Sequence, residues 1–162
     1  MRKQKTSRRL QRGAGLIEVM VAVLIMGVGL LGIAAMQATA LRNSQSALER
    51  SQAVILSYGI IDAMRANRDA ALGGAYNLAA MTCAPPAAGT LAQTDLNQWI
   101  ASLKTSFGTA AADATTCGQV NCAAGGVCTV TVQWDDSRAT DAGSALAGDA
   151  AANRRVQTVT LL

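Results

Sequence analysis

Between Val19 and Leu41 the chain runs for 23 residues without a charge, and from Leu16 to Met36 nearly every side chain is apolar. As a helix rising about 1.5 Å per residue, that stretch covers roughly 34 Å, enough to cross a hydrocarbon core of about 30 Å. A cleavable secretory signal has an apolar region of only about 7–15 residues, so the run exceeds the usual kind. Ala38-Thr39-Ala40 nevertheless offers an Ala-x-Ala site, and a soluble product cut after Ala40 stands as an alternative. Six cations (Arg2, Lys3, Lys5, Arg8, Arg9 and Arg12) precede the run with no acid among residues 1–13, and Arg42 is the one cation close behind it. That asymmetry predicts a cytoplasmic N-terminus and a single inner-membrane pass, with the remainder outside.

Charge and composition narrow the function classes. The overall charge is +4, but beyond residue 13 there are 8 basic and 10 acidic residues, a net −2. The basic character therefore belongs to the tail, and its place ahead of a membrane run argues against nucleic acid as a partner. The 162 residues hold one ordinary domain, or a smaller one with an appendage. Apolar types reach 51% and charged types 15%, which excludes a disordered chain, while 3% aromatics predict a small core. There is no His, which removes His-based acid–base catalysis, Ser-His-Asp and Cys-His nucleophile schemes and His metal ligation together.

Two features lie inside the apolar run. Glu18 is a lone carboxylate whose insertion costs on the order of 2.5–3.5 kcal/mol, so it either rests at the headgroup boundary or waits for a cationic partner. Gly27-Val28-Gly29-Leu30-Leu31-Gly32 has the Gly-x-Gly-x-x-Gly outline of a dinucleotide-binding turn, with Glu49 lying 17 residues further on. A nucleotide-binding enzyme is thus an alternative of another class. It needs further buried parallel strands, and no second long apolar strand follows.

The residues Arg12-Gly13-Ala14-Gly15-Leu16-Ile17-Glu18-Val19-Met20-Val21 resemble the processing site of type IV prepilins. The resemblance implies cleavage by a prepilin peptidase between Gly13 and Ala14, N-methylation of Ala14, and Glu18 as the fifth residue of the mature chain and an assembly residue. The family usually starts its mature chain with Phe or Met, so Ala14-Gly15 departs from the pattern, and Gly15 is a competing cut site. Further segments are similar to the PilV-type minor pilins: Gly29-Leu30-Leu31-Gly32-Ile33, Leu41-Arg42-Asn43-Ser44, Arg50-Ser51-Gln52-Ala53 and Met64-Arg65-Ala66-Asn67-Arg68. Gln98-Trp99-Ile100, Val130 to Asp135 and Arg155 to Val159 extend the likeness. It implies a non-catalytic subunit without cofactor or metal. Its implied partners are the inner membrane, the peptidase, other minor pilins, the major pilin and a tip adhesin, with pilus priming, twitching motility and adhesion as the outcome. A minor pseudopilin of a type II secretion system is the alternative within the superfamily.

The expected fold is α+β, a type IV pilin fold. Residues 1–13 form a leader and 14–67 a long helical spine of roughly 80 Å. Of that spine, about 16–40 lies in the membrane and about 41–67 is amphipathic. Residues 68–162 form a small periplasmic head with an antiparallel sheet. Leu48 with Ile55, and Val54, Tyr58, Ile61 and Met64, supply helical spacing for the buried stripe. Gly73-Gly74 is a natural stop. Residues 82–94 read as a loop, and Asp95 as the cap of a helix to about Phe107 that buries Leu96, Trp99, Ile100 and Leu103. Cys128, Val130, Val132 and Trp134 alternate with polar residues as a half-buried strand, and Val156–Leu162 closes the sheet. Asp135-Asp136 reads as a solvated turn, and Asp136 to Asn153 as a small-residue loop whose Asp141 and Asp149 lack the spacing of a calcium loop, although small irregular acidic loops can bind calcium, and no metal is expected.

Cys83, Cys117, Cys122 and Cys128 include no Cys-x-x-Cys pair, so disulfides are expected rather than zinc. Four cysteines allow three pairings. In each, Cys83 reaches one of the later three and the other two join.

Overall fold

The computed structural model describes residues 15–137 and 153–162. Six elements follow in order: α1 (Leu16–Ala66), α2 (Arg68–Leu72), α3 (Leu91–Ser106), β1 (Cys117–Cys122), β2 (Val127–Asp135) and β3 (Asn153–Leu161). The chain divides into two compact units between Ala40 and Leu41. The leader residues 1–13, Ala14 and the loop residues Asp141 and Asp149 lie outside the described residues.

In the N-terminal unit, residues 15–40 are exposed throughout, including Leu16, Leu24, Leu31 and Met36. An apolar 18-residue window there has mean hydropathy 2.6. α1 is the one helix among the described residues long and apolar enough to cross a membrane. A helix apolar on every face gains nothing from standing in water.

In the C-terminal unit the second half of α1, both short helices and the sheet share one core. Its floor is an antiparallel sheet of order β1-β2-β3. Cys128, Val130, Val132 and Trp134 alternate along β2 and bury their face in the core, as a period of two requires, but Thr131 and Gln133 between them are buried too, so the strand is not half-buried as expected. From α3, Leu96, Trp99, Ile100 and Leu103 pack down on the same core. The architecture is α+β: a long apolar N-terminal helix whose second half packs on a small three-stranded sheet, consistent with a type IV pilin fold.

Several elements differ from the sequence reading. The face of α1 that is buried is Ala53, Ser57, Ile60, Ile61 and Met64. Of the expected stripe, Ile61 and Met64 are buried, whereas Leu48, Ile55 and Tyr58 are more than half exposed and lie off the core-facing side. Small Ala53 and Ser57 let the helix sit close, and the Ser57 hydroxyl meets its hydrogen-bonding need by donating to Ala53 O at 2.8 Å. α1 ends at Ala66, before the glycines; Gly73 instead caps α2, and Gly74 takes φ +81°, a region open to glycine.

α3 starts at Leu91, not at Asp95. Thr90 is its cap, accepting from Gln93 N at 3.3 Å, while Gln93 Oε1 accepts from Thr90 N at 3.0 Å. That reciprocal pair is a capping box. β1, with the polar sequence Cys-Gly-Gln-Val-Asn-Cys, had no apolar alternation to announce it. It is held by pairing with β2 from Cys117↔Gln133 to Cys122↔Cys128. Gly118 is required there because a Cβ would lie 2.5 Å from the Trp99 ring and 2.8 Å from Ile100 Cδ1.

Candidate functional site: the N-terminal segment and its bridged C-terminal unit

α1 begins at Leu16, and Gly15 O accepts from Glu18 N at 2.9 Å and from Val19 N at 3.2 Å. Glu18 therefore stands in the first helical turn, where the unsatisfied N–H groups and the helix dipole favour a carboxylate. Its side chain is exposed, as are all its neighbours through Ala40. Gly13 and Ala14 lie outside the described residues.

Gly27, Gly29 and Gly32 sit inside α1, where a Cβ would meet nothing within 4 Å beyond the local helix backbone and the adjoining residues. A dinucleotide fingerprint needs them at a strand-to-helix turn, where backbone N–H groups face a pyrophosphate. Here those N–H groups are already spent on the helix, which removes the geometry behind that alternative.

In the C-terminal unit the cysteines pair as Cys83–Cys117 and Cys122–Cys128. The first joins the segment before α3 to the start of β1 across a separation of 34 residues; the second closes the β1–β2 hairpin across 6. By loop length these correspond to about 4 and about 2 kcal/mol of unfolded-state entropy.

Three polar clusters hold this unit together. Lys104, buried on α3, donates to the backbone O of Asp113 and lies 3.5 Å from its carboxylate. That carboxylate also accepts from Thr116 N at 2.8 Å, Thr115 N at 3.1 Å and Thr115 Oγ1 at 2.9 Å. Burial pushes the Asp113 carboxyl up, but the hydrogen bonds from Thr116 and Thr115, with the charge of Lys104, outweigh it and hold the group below its usual range. Tyr76, fully buried, donates its hydroxyl to Asp95; burial first, and then this bond, push the phenol above its usual value. Asp95 thus acts inside α3 as an acceptor for Tyr76.

The third cluster corrects the reading of Asp135-Asp136 as a solvated turn. Asp136 is buried, accepting from Ser46 Oγ of α1 at 2.6 Å and facing Arg154 Nε of β3 at 3.6 Å. The register that sets Trp134 opposite Arg154 carries the cation to the carboxylate two residues on. The dipeptides Asp135-Asp136 and Arg154-Arg155 at facing strand ends were the signal available for it. Among the described residues no group of three His, Cys, Asp or Glu is placed to hold a metal ion.

A long apolar N-terminal helix, a small antiparallel sheet and a helix-start glutamate define a pilin-like class of architecture. Within it, residues 8–34 match the prokaryotic N-terminal methylation motif, the signature of type IV prepilin-like proteins, pilins and pseudopilins alike. The match spans the last six residues of the leader (8–13), Glu18, and Gly27, Gly29 and Gly32. Beyond that motif, no curated protein and no solved structure matches the chain.

Proposed function

We propose that this chain is a structural minor pilin of PilV type, made as a precursor and inserted once through the inner membrane. Its N-terminus is then cytoplasmic and residues 68–162 are periplasmic. The prepilin peptidase cuts between Gly13 and Ala14 and the new amine is methylated. The subunit then joins other minor pilins and the major pilin to prime the fibre at its tip, supporting twitching motility and adhesion. It works as a building block, not as an enzyme.

One observation carries the proposal: the methylation motif over residues 8–34 coincides with a helix start that puts Glu18 on an otherwise apolar, fully exposed segment. A carboxylate so placed costs about 3 kcal/mol in lipid until a cation meets it. Cleavage supplies one, because the new amine of each subunit can pair with the Glu18 of a neighbour. The two disulfides suit an oxidising compartment such as the periplasm.

The test is the mature N-terminus of the protein isolated from membranes and from sheared pili. Mass spectrometry is expected to find a chain starting at N-methylated Ala14. A start at Leu41 removes the pilin reading, whereas a start at Leu16 moves only the register.

A further inference from the structure

Apolar burial of α1 begins later than its contacts do. Ala53, Ser57, Ile60, Ile61 and Met64 mark the buried side of the helix, and seven residues back from Ala53 the same side carries Ser46. Residues 15–45 are all exposed, and Ser46 is the first position that is not. From 42 to 52 the positions nearest that side are Arg42, Asn43, Ser46, Glu49 and Arg50, and none is apolar. Asn43, Glu49 and Arg50 each have an interaction of their own, and the Ser46 hydroxyl donates to buried Asp136 at 2.6 Å. This stretch is therefore held by polar contacts, with the first buried apolar side chain at Ala53.

Both flanks of the stretch are open. On one, a cavity of about 540 Å³ lies between Gln45, Leu48 and Gln52 and the residues Phe107, Thr109 and Asp135. On the other, a groove of about 710 Å³ separates Ser51, Val54 and Ile55 from Val156 and Gln157 of β3. Asn43-Ser44-Gln45-Ser46 opens the stretch, and Asn and Ser are weak helix formers because their side chains compete for backbone hydrogen bonds. A segment with few buried apolar contacts is the kind that opens locally while the core stays closed.

The contact at Ser46 can part without leaving a charge stranded. Asp136 faces Arg154 Nε at 3.6 Å, and both residues are buried. When the Ser46 hydroxyl leaves, that ion pair stays, so neither buried charge loses its partner. What is exchanged for water at this contact is one hydroxyl–carboxylate hydrogen bond.

We infer that residues 43–52 form a releasable arm of α1, and that Ser46, held by the Asp136–Arg154 pair, is its latch. Latched, α1 lies on the C-terminal unit from Ser46 onward. Released, the arm loses its helical bonds and the docked helix starts at Ala53, about 10 Å further along. The fold thus carries a switch in the length of α1 that it holds. The inference does not rest on how the N-terminus is processed.

The test is residue-resolved amide exchange with deuterium on the full-length chain in detergent micelles. In the wild type the amides of 47–52 are expected to exchange at least tenfold faster than those of 57–64. Ser46→Ala separates two expectations of opposite sign. Ala is the better helix former, so propensity alone slows exchange at 47–52, whereas loss of the latch speeds it at least fivefold and leaves 57–64 unchanged. Ser46→Thr keeps the hydroxyl without improving propensity and should stay within twofold of wild type. Ser51→Ala, on the arm but on its exposed side, should not speed exchange. Four results overturn the inference: an arm as protected as the core, exchange slowed or unchanged by Ser46→Ala, equal acceleration at 57–64, or acceleration by Ser46→Thr or Ser51→Ala as large as that by Ser46→Ala.

Discussion

Asp113 gathers backbone and side-chain donors from Thr115 and Thr116, together with the buried Lys104, onto one carboxylate. Its carboxyl is lower in the folded chain than in the unfolded one, so its ionised form favours folding. Such a group contributes stability above its unfolded pKa, about 3.9, and that contribution is lost as the pH falls through the folded value. The thermal midpoint of the C-terminal unit, followed by near-ultraviolet dichroism of Trp99 and Trp134, should therefore drop as the pH falls below about 4. Asp113→Asn should lower the midpoint at neutral pH and make that acid limb shallower. An equally steep limb in the variant would assign the acid sensitivity elsewhere. At Glu18 the expectation follows from the proposed pairing in the assembly. Glu18→Ala makes the helix more apolar, so it should insert and be cleaved normally, yet be depleted in sheared pili at equal membrane levels. Wild-type incorporation would leave Glu18 as a boundary residue.

At the scale of elements, β1 shows how packing recruits a strand that its own residues do not advertise. Gly118 lets Trp99 and Ile100 of α3 lie directly on the strand, and Trp99 Nε1 reaches on to donate to Leu56 O of α1 at 3.0 Å. One missing Cβ therefore sets how closely α3 approaches the sheet. Gly118→Ala is expected to destabilise the C-terminal unit by about 1–3 kcal/mol, because the Trp99 ring must leave its place. Urea unfolding monitored at tryptophan measures it, and a midpoint equal to wild type would mean that α3 shifts freely. The exposed side of α1 is the counterpart. Leu48, Ile55 and Tyr58 keep helical spacing but no neighbour within the described residues buries them.

For the molecule as a whole, the bridges stand in for the apolar bulk that a small core lacks. Cys83–Cys117 ties the long segment around α3 to the sheet, and all four cysteines are paired. Alkylation of the intact protein without reductant should therefore modify no cysteine. Reduction should lower the thermal midpoint of the C-terminal unit by several degrees or more, as the loss of about 4 kcal/mol from the longer bridge alone implies for a unit of this size. Four freely alkylated cysteines in protein taken from cells would contradict a periplasmic location.

Much of this was legible without coordinates. The uncharged run from Val19 to Leu41 dictates a helix apolar on all sides, because length and hydropathy are local properties of the chain. The alternation from Cys128 to Trp134 dictates a strand with an apolar face, since side chains on a strand change sides at every residue, but not the burial of Thr131 and Gln133 on its other face. The pattern around α3 placed Leu96, Trp99, Ile100 and Leu103 in the core, though Thr90 and Gln93, not Asp95, start the helix. Tertiary structure decided the rest. Ile61 and Met64 of the expected stripe do face inward, but their companions there are Ala53, Ser57 and Ile60 rather than Leu48, Ile55 and Tyr58, because contact with α3 and the sheet favours the smaller side chains. The cysteine pairing, the burial of Asp136 between Ser46 and Arg154, and the existence of β1 depend on which distant segments become neighbours. Each is a relation between residues far apart in the chain, and composition and periodicity describe only residues that are near.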